Sequence, residues 1–335
     1  MRLINSLSEI GLKSDDFPIF FWDQWLAFEK SSKCQTFLFV DETIKAVVPF
    51  KVHKLKFLKK GEYIYKPLNF SGNELSIEDE KEFIECFHDF LAKKGFCDVI
   101  FPPQHVVNFK CIPEKTQYFS IGIIILDIPK TGEEVLSKMK ANYRNEIRKA
   151  RKMNIQVHFG RKWVNEFYEV YRQTHQLQGM EYEDIEHFNR LIHFMPENAQ
   201  VGISKLDANL ECGFFNIFDY KTAYYSYAGI GEKTIVPGSN KLLLYEAIRF
   251  YQAQGFKKFI FGGCRPHISA EDKKNEIQNF KIRFGAEIEQ GYHFIKIVSP
   301  FRYWLFEFAL KMKSFLIKRE LSFFNKSGLD IKWSD

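Results

Sequence analysis

The chain has 335 residues and six cysteines, yet it contains no CxxC pair, and no histidine stands at zinc-ligand spacing from Cys34, Cys86, Cys97, Cys111, Cys212 or Cys264. A zinc module is therefore not indicated. The chain is also far longer than disulfide-dense scaffolds, so reduced, mostly buried thiols in a cytoplasmic protein are expected, with no metal site. The start, MRLINSLSEIGLKSDD, has no apolar h-region of a signal peptide. No window reaches the roughly 18 uncharged apolar residues of a spanning helix. The motifs GxSxG, HExxH and the Walker loop are missing, so serine-hydrolase, zinc-protease and P-loop chemistry have no signature here. Short repeats and low-complexity tracts are absent as well. The expectation is a soluble or peripherally attached protein of the cytoplasm, with the inner membrane surface as a second address.

What is present is apolar and aromatic. The composition is 45% hydrophobic, 27% charged and 17% aromatic, with 36 Phe. Such a chain can bury a large core. The net charge of +6 leans mildly toward anionic partners. The first part mixes an aromatic helix (17–31), strands at 36–40 and 44–52 joined through Asp41-Glu42, and an extended stretch at 62–70. A helix at 77–95 follows, with Phe83, Ile84, Phe87, Phe90 and Leu91 on one face, and then a short strand at 97–101. After Pro113 a similar series begins. It has a strand (118–128), a helix (131–154), a strand (155–159) and helices at 164–177 and 184–195. Three strands follow, 199–206, 212–220 and 222–230, then a helix (239–254), a strand (257–263), a helix (269–283), one or two strands within 286–298 and a helix at 300–320. Each half runs helix, antiparallel strands, helix, strand. This order predicts an α+β fold with an internal duplication rather than a doubly wound parallel sheet.

Three stretches could carry chemistry. In helix 131–154, Leu136, Met139, Tyr143, Ile147 and Ala150 make one stripe, and Lys140, Arg144, Arg148 and Arg151 make another. Guanidinium groups in a row can bind phosphates bidentately, although a solvated flank is the simpler reading. Pro237-Gly238 before Ser239 and Asn240 offers a glycine turn and a helix N-terminus, a general anion site that is also an ordinary cap. Gly262-Gly263 at a strand end permits close approach of a ligand or backbone. Gln278, Asn279, Lys281 and Arg283 cluster before Phe284-Gly285, where a lysine could stabilise an oxyanion or simply lie on the surface. His175 is a lone helical histidine.

Taken in order, RNEIRKARKMNIQV, YSYAGI, PGSNKLLLYEAIRFYQAQGFKKFIFGG and NFKIRFGAE resemble the FemAB-like branch of the GNAT acyltransferase superfamily, over about residues 120–300. The branch includes peptidoglycan-type aminoacyltransferases and related N-acyltransferases. Residues 1–115 look like its degenerate first GNAT-like domain. The resemblance implies tandem GNAT-like domains with mixed, mostly antiparallel sheets flanked by helices. The expected division is 1–115, a catalytic domain at 116–300, and a C-terminal amphipathic helix and tail at 301–335. It implies N-acyl or aminoacyl transfer onto an amine of a cell-envelope, amino-sugar or peptide acceptor. The co-substrate would be an acyl-CoA or an aminoacyl-tRNA, with no tightly bound cofactor.

By the same resemblance, Lys281 and Tyr227 are the catalytic candidates. Tyr225, Gly229, Gly238, Ser239, Asn240, Lys241, Gly262, Gly263, Phe280 and Arg283 would bind the donor, with Tyr225 and Tyr227 lining a split between two strands. Arg144, Arg148, Tyr171 and His175 would meet phosphates or the acceptor. Two departures count. Of the Gln/Arg-x-x-Gly-x-Gly/Ala pyrophosphate turn only Gly238 remains in IVPGSN. The long helical arm of some tRNA-using members has no counterpart. The expected partners are the donor and the amine acceptor, with tRNA and a peripheral membrane contact as open options and DNA not among them. The alternative class is a non-catalytic module that holds RNA or anionic lipid in the same groove. In the C-terminal helix, Phe301, Trp304, Leu305, Phe308, Met312, Phe315 and Leu316 share a face. Docking of that face onto the protein is the first expectation, and a membrane contact is the sharper one.

Overall fold

β-branched and aromatic runs form the strands and amphipathic segments the helices, in an order close to that read from the sequence. The structure, a computed structural model, describes residues 1–32, 34–56, 58–103, 107–231, 236–266, 273–317 and 331–334. In chain order the elements begin with β1 (Arg2–Ile4), α1 (Asp23–Ser31), β2 (Gln35–Asp41), β3 (Ala46–Leu55), β4 (Leu58–Tyr63), β5 (Leu68–Asn69), α2 (Ile77–Lys93) and β6 (Val99–Phe101). Then come β7 (Gln117–Asp127), α3 (Gly132–Lys138), α4 (Ala141–Lys152), β8 (Gln156–Phe159), α5 (Val164–Leu177) and α6 (Ile185–Phe194). The series β9 (Ala199–Leu206), β10 (Asn209–Phe218), β11 (Thr222–Ile230), α7 (Ser239–Ala253), β12 (Lys258–Cys264) and α8 (Lys273–Ile282) follows. The last are β13 (Glu287–Ile297), α9 (Pro300–Ile317) and β14 (Lys332–Trp333).

The chain forms two units. The first takes Met1–Gly122 and the C-terminal stretch from Gln290; the second takes Ile123–Cys264 and the stretch ending at Glu289. In the first, β1, β2, β3 and β4 pair antiparallel, β4 pairs with β6 in parallel, and β6 pairs with β13 antiparallel. Phe83, Ile84, Phe87 and Leu91 of α2 pack with Phe39, Phe50 and Tyr63 of the sheet, as the helical spacing predicts. Ser76 caps α2 by accepting from the Asp79 amide. In the second unit, β8, β9, β10 and β11 pair antiparallel and β11 pairs with β12 in parallel. Both units therefore carry three antiparallel strands, a helix and a returning parallel strand: β2–β3–β4–α2–β6 and β9–β10–β11–α7–β12. This is the duplicated α+β arrangement expected from the order of elements, and the sheets are mixed and mostly antiparallel.

Two local expectations change. The single helix read at 131–154 is two helices, because Met139 and Lys140 are extended at ψ 150° and 147°. The break is held by its own hydrogen bonds. The Lys140 amide donates to Arg283 O at 3.0 Å, and Arg144 Nη1 donates to Met139 O and Ser137 O at the end of α3. Arg144 thus supplies donors to terminal carbonyls that a continuous helix would have used internally. The second change is in α9. Tyr303 and Phe306 are the docked side chains, packed with Leu58, Val99, Phe101 and Ile295. Phe301, Trp304, Leu305, Phe308 and Met312, the face expected to dock, are exposed. The helix is apolar on both sides, so its periodicity could not say which side faces inward. Phe315 and Leu316 lie outside the described side chains.

The second unit's sheet carries α5 on one face and α4 and α7 on the other, and α5 lies directly on β11. A Cβ at Gly229 would stand 2.4 Å from the Tyr171 amide nitrogen and 2.4 Å from the Val170 carbonyl carbon. Backbone cannot yield as a side-chain tip can. Gly229→Ala is expected to destabilise the protein by about 3 kcal/mol, read as a lowered denaturant midpoint with an unchanged m-value.

Candidate active site

The β11/β12 ladder is short. Thr222 pairs with Lys258, Ala223 with Phe259 and Tyr224 with Ile260, and the ladder comprises these three pairs. Beyond them Tyr225–Ile230 and Phe261–Cys264 continue as strands without further rungs between them, so the sheet opens. Lys281 stands at this opening. Its Nζ donates to Phe261 O at 2.7 Å, on the first residue past the last rung. An ammonium has three donors, and this bond uses one. Burial pulls the Lys281 pKa down to about 8, with Cys264 opposing slightly. Gly262 takes a positive φ of 93°, open to glycine without strain, and Gly263 completes the pair at the strand end.

A bulge on β11 sorts the two tyrosines. Phe215 pairs with Tyr227 but Asn216 pairs with Tyr225, so Ser226 is the extra residue and the strand alternation shifts by one. Tyr225 and Tyr227 consequently point to opposite faces. Tyr225 packs beside Phe214, Phe259 and Phe261 in the core shared with α4 and α7. Tyr227 packs beside Phe188, Phe215 and Tyr171 under α5 and α6.

The expected site residues divide along the same line. On the Tyr225 side, Tyr143 of α4 is a hub. The Lys241 ammonium lies 4.9 Å above its ring and the Arg283 guanidinium 6.0 Å from it, while the Phe280 ring is 5.9 Å away. Lys241 also pairs with Glu146 at 2.6 Å. Gly238 has a φ of 99°, and its α-carbon faces α4 so closely that a Cβ would meet Glu146 O at 2.8 Å. Asn240 is partly exposed in the first turn of α7. Arg148 is exposed and bonded to Asn145 Oδ1 at 3.0 Å, and Arg151 pairs with Glu246 at 2.6 Å. On the other side, Tyr171 and His175 are in contact with ring centres 4.2 Å apart and planes tilted by 51°, and the Tyr171 hydroxyl accepts from the Glu183 amide. Tyr227 and Gly229 belong to this side.

Sequence reasoning missed two groups. The first is His187, whose Nε2 lies 2.9 Å from the Tyr227 hydroxyl and whose Nδ1 lies 3.5 Å from Glu183 Oε2. Burial lowers its pKa to about 4, so it is a neutral imidazole at pH 7. The Glu183 carboxylate favours the proton on Nδ1, which leaves Nε2 to accept from Tyr227. The i, i+4 spacing of Glu183 and His187 was the available signal. The second is Glu211, fully buried on β10. Its Oε2 accepts from Ser239 Oγ at 2.9 Å and from the Val236 amide at 3.4 Å, and its Oε1 has no hydrogen-bond partner. Ser239 is thereby engaged, and the positive N-terminal end of α7 already holds a carboxylate of the protein itself.

This geometry has relatives. Residues 137–275 match the family described as acetyltransferase (GNAT) domain. Over that segment the chain is similar to a GNAT domain, and its fold is GNAT-like, with mixed sheets flanked by helices. The crystal structure of FemX superposes with a TM-score of 0.68 at 14% identity, covering 91% of this chain and 99% of that one. L-PGS from Bacillus licheniformis gives 0.50 at 12% identity, covering 78% and 84%. A conserved protein of unknown function from Bacteroides thetaiotaomicron gives 0.53 at 11%, covering 82% and 90%. At these identities the likeness is one of fold. No curated protein matches the chain by sequence.

The Lys281 environment has a thermodynamic consequence. Its folded pKa, about 8, lies below the ordinary 10.5. Between those values the unfolded chain binds more protons, so the native state gains stability as pH rises from about 8 to 10.5. Lys281→Met removes that gain. Relative to wild type, the variant should lose stability across this window by on the order of 3 kcal/mol in denaturant titrations at pH 7.5 and pH 10.5. A pH-independent difference would place the ammonium in solvent.

Proposed function

We propose that the second unit is an N-acyltransferase that moves an acyl or aminoacyl group onto an amine of a cell-envelope, amino-sugar or peptide acceptor. The observation that carries this reading is the three-rung parallel ladder that opens at Tyr224 and Ile260 with the Lys281 ammonium at its mouth. The donor carbonyl lies in the opening. The acceptor amine attacks the carbonyl carbon, the new C–N bond forms, and the bond to the leaving thiolate or ribose oxygen breaks. Lys281 stabilises the oxyanion of the tetrahedral intermediate. The proton lost by the amine passes through the Tyr227 hydroxyl, backed by His187 Nε2, to solvent and thence to the leaving group. Donor and acceptor approach the opening from the two faces that the bulge at Ser226 separates. The fold likeness to FemX, together with the FemAB-like sequence resemblance, supports an envelope acceptor here.

GNAT domains use acyl-CoA as co-substrate. One feature favours an aminoacyl ester instead. At the turn before α7 the Val236 amide and the Ser239 hydroxyl already donate to the buried Glu211 side chain, so these donors are not open to a CoA diphosphate. Transfer should therefore run from charged tRNA and not from acetyl-CoA, assayed with amine-bearing peptidoglycan precursor peptides. Lys281→Ala should lower turnover by about 10²-fold or more, and Tyr227→Phe by about 10-fold or more. Unchanged turnover in Lys281→Ala would remove this residue from the chemistry. Transfer from acetyl-CoA alone would reverse the choice of donor.

A further inference from the structure

We infer that the outer face of α9, in the first unit, is a docking surface for an anionic lipid bilayer. At about 100° per residue, Phe301, Trp304, Leu305, Phe308 and Met312 fall within roughly 100° of arc, opposite the docked Tyr303 and Phe306. Their exposure is high: 71% for Phe301, 59% for Trp304 and 50% for Phe308. Trp304 stacks on Phe308 with ring centres 5.7 Å apart, so the stripe is a continuous aromatic surface. A contiguous exposed apolar patch of this kind marks an interaction site rather than ordinary surface.

Charge selects the occupant. Lys311 is exposed on one flank of the stripe, and Arg302, on the other, is paired with Asp98. Tyr303 on the inner face packs with Leu58 of β4, and β4 forms a hairpin with β3 whose sequence is basic, with Lys54 paired to Lys59 across it. Lys54 and Lys56 are exposed there. Asp98 pairs with Arg302, and Glu307, one turn before Lys311, accepts from the Tyr303 hydroxyl, so the charge of this region comes from the exposed hairpin cations Lys54 and Lys56. A second copy of the chain would set these cations against their own kind, whereas an anionic surface would neutralise them. Apolar stripe, interfacial Trp and the cations of the neighbouring hairpin together describe a helix lying in the headgroup plane. No described helix is long and apolar enough to cross a membrane, so α9 would lie on it rather than span it. This inference does not rest on the acyltransferase reading.

Flotation of the full chain with extruded vesicles tests it. Binding to equimolar phosphatidylglycerol–phosphatidylcholine vesicles is expected, with at least about 10-fold weaker binding to pure phosphatidylcholine and weakening as salt is raised. Trp304→Ser with Phe308→Ser should reduce partitioning about 10-fold or more at unchanged melting temperature. Lys54→Glu with Lys56→Glu, well outside the apolar stripe, should abolish the preference for anionic lipid. Absence of vesicle binding by the wild type, or equal binding by the Ser variant, would overturn the proposal. So would a concentration-dependent dimer in sedimentation analysis that the same Ser substitutions dissolve, because it would assign the face to a second copy.

Discussion

Three rungs of parallel ladder set the geometry on which the second unit depends. Had β11 and β12 stayed paired to their ends, their backbone groups would have satisfied one another and left no opening. Instead the ladder stops at Tyr224 and Ile260, and Lys281 reaches the next carbonyl, Phe261 O, across the mouth. The lysine is held there by α8 and by the aromatic packing of Phe280 and Phe284 around Tyr143. Its burial carries a cost in charge desolvation, visible as the lowered pKa, and such a cost is commonly borne where a charged group has work to do.

The bulge at Ser226 extends the same logic. One extra residue turns Tyr225 into the core of α4 and α7 and Tyr227 toward α5 and α6. Two chemically distinct surroundings then meet along one strand. One has Lys281, Lys241 and Arg283 near aromatic rings. The other has Tyr171, His175, Tyr227 and the neutral His187 with Glu183 behind it. A transferase must hold two substrates and keep them apart until reaction, and a split sheet with unlike faces meets that need.

Much of the arrangement was legible in the sequence. The helical stripe of α2, the strand–turn–strand runs of β9 to β11 and the repeated order of elements follow from periodicity and turn residues. The stripe through Tyr143, Ile147 and Ala150 is buried as its spacing implies. Other features have no one-dimensional signal. A bulge leaves YYSYAG looking like regular alternation. The break at Met139–Lys140 lies within a good helical pattern and is held by Arg144 and by the distant Arg283 carbonyl. Glu211 reads as a surface residue between Leu210 and Cys212, and its burial depends on Ser239 and Val236 far along the chain. In α9 both faces are apolar, so only the packing of Tyr303 and Phe306 decides which one turns outward.

The central claim is that acyl transfer occurs in the opening between β11 and β12. Hydrogen–deuterium exchange tests it most directly, with a hydrolysis-resistant aminoacyl-adenosine amide and acetyl-CoA as separate probes. The account predicts new amide protection in 225–229 and 261–263 with the aminoacyl probe. Protection confined to other segments, with these two unchanged by either probe, would contradict it.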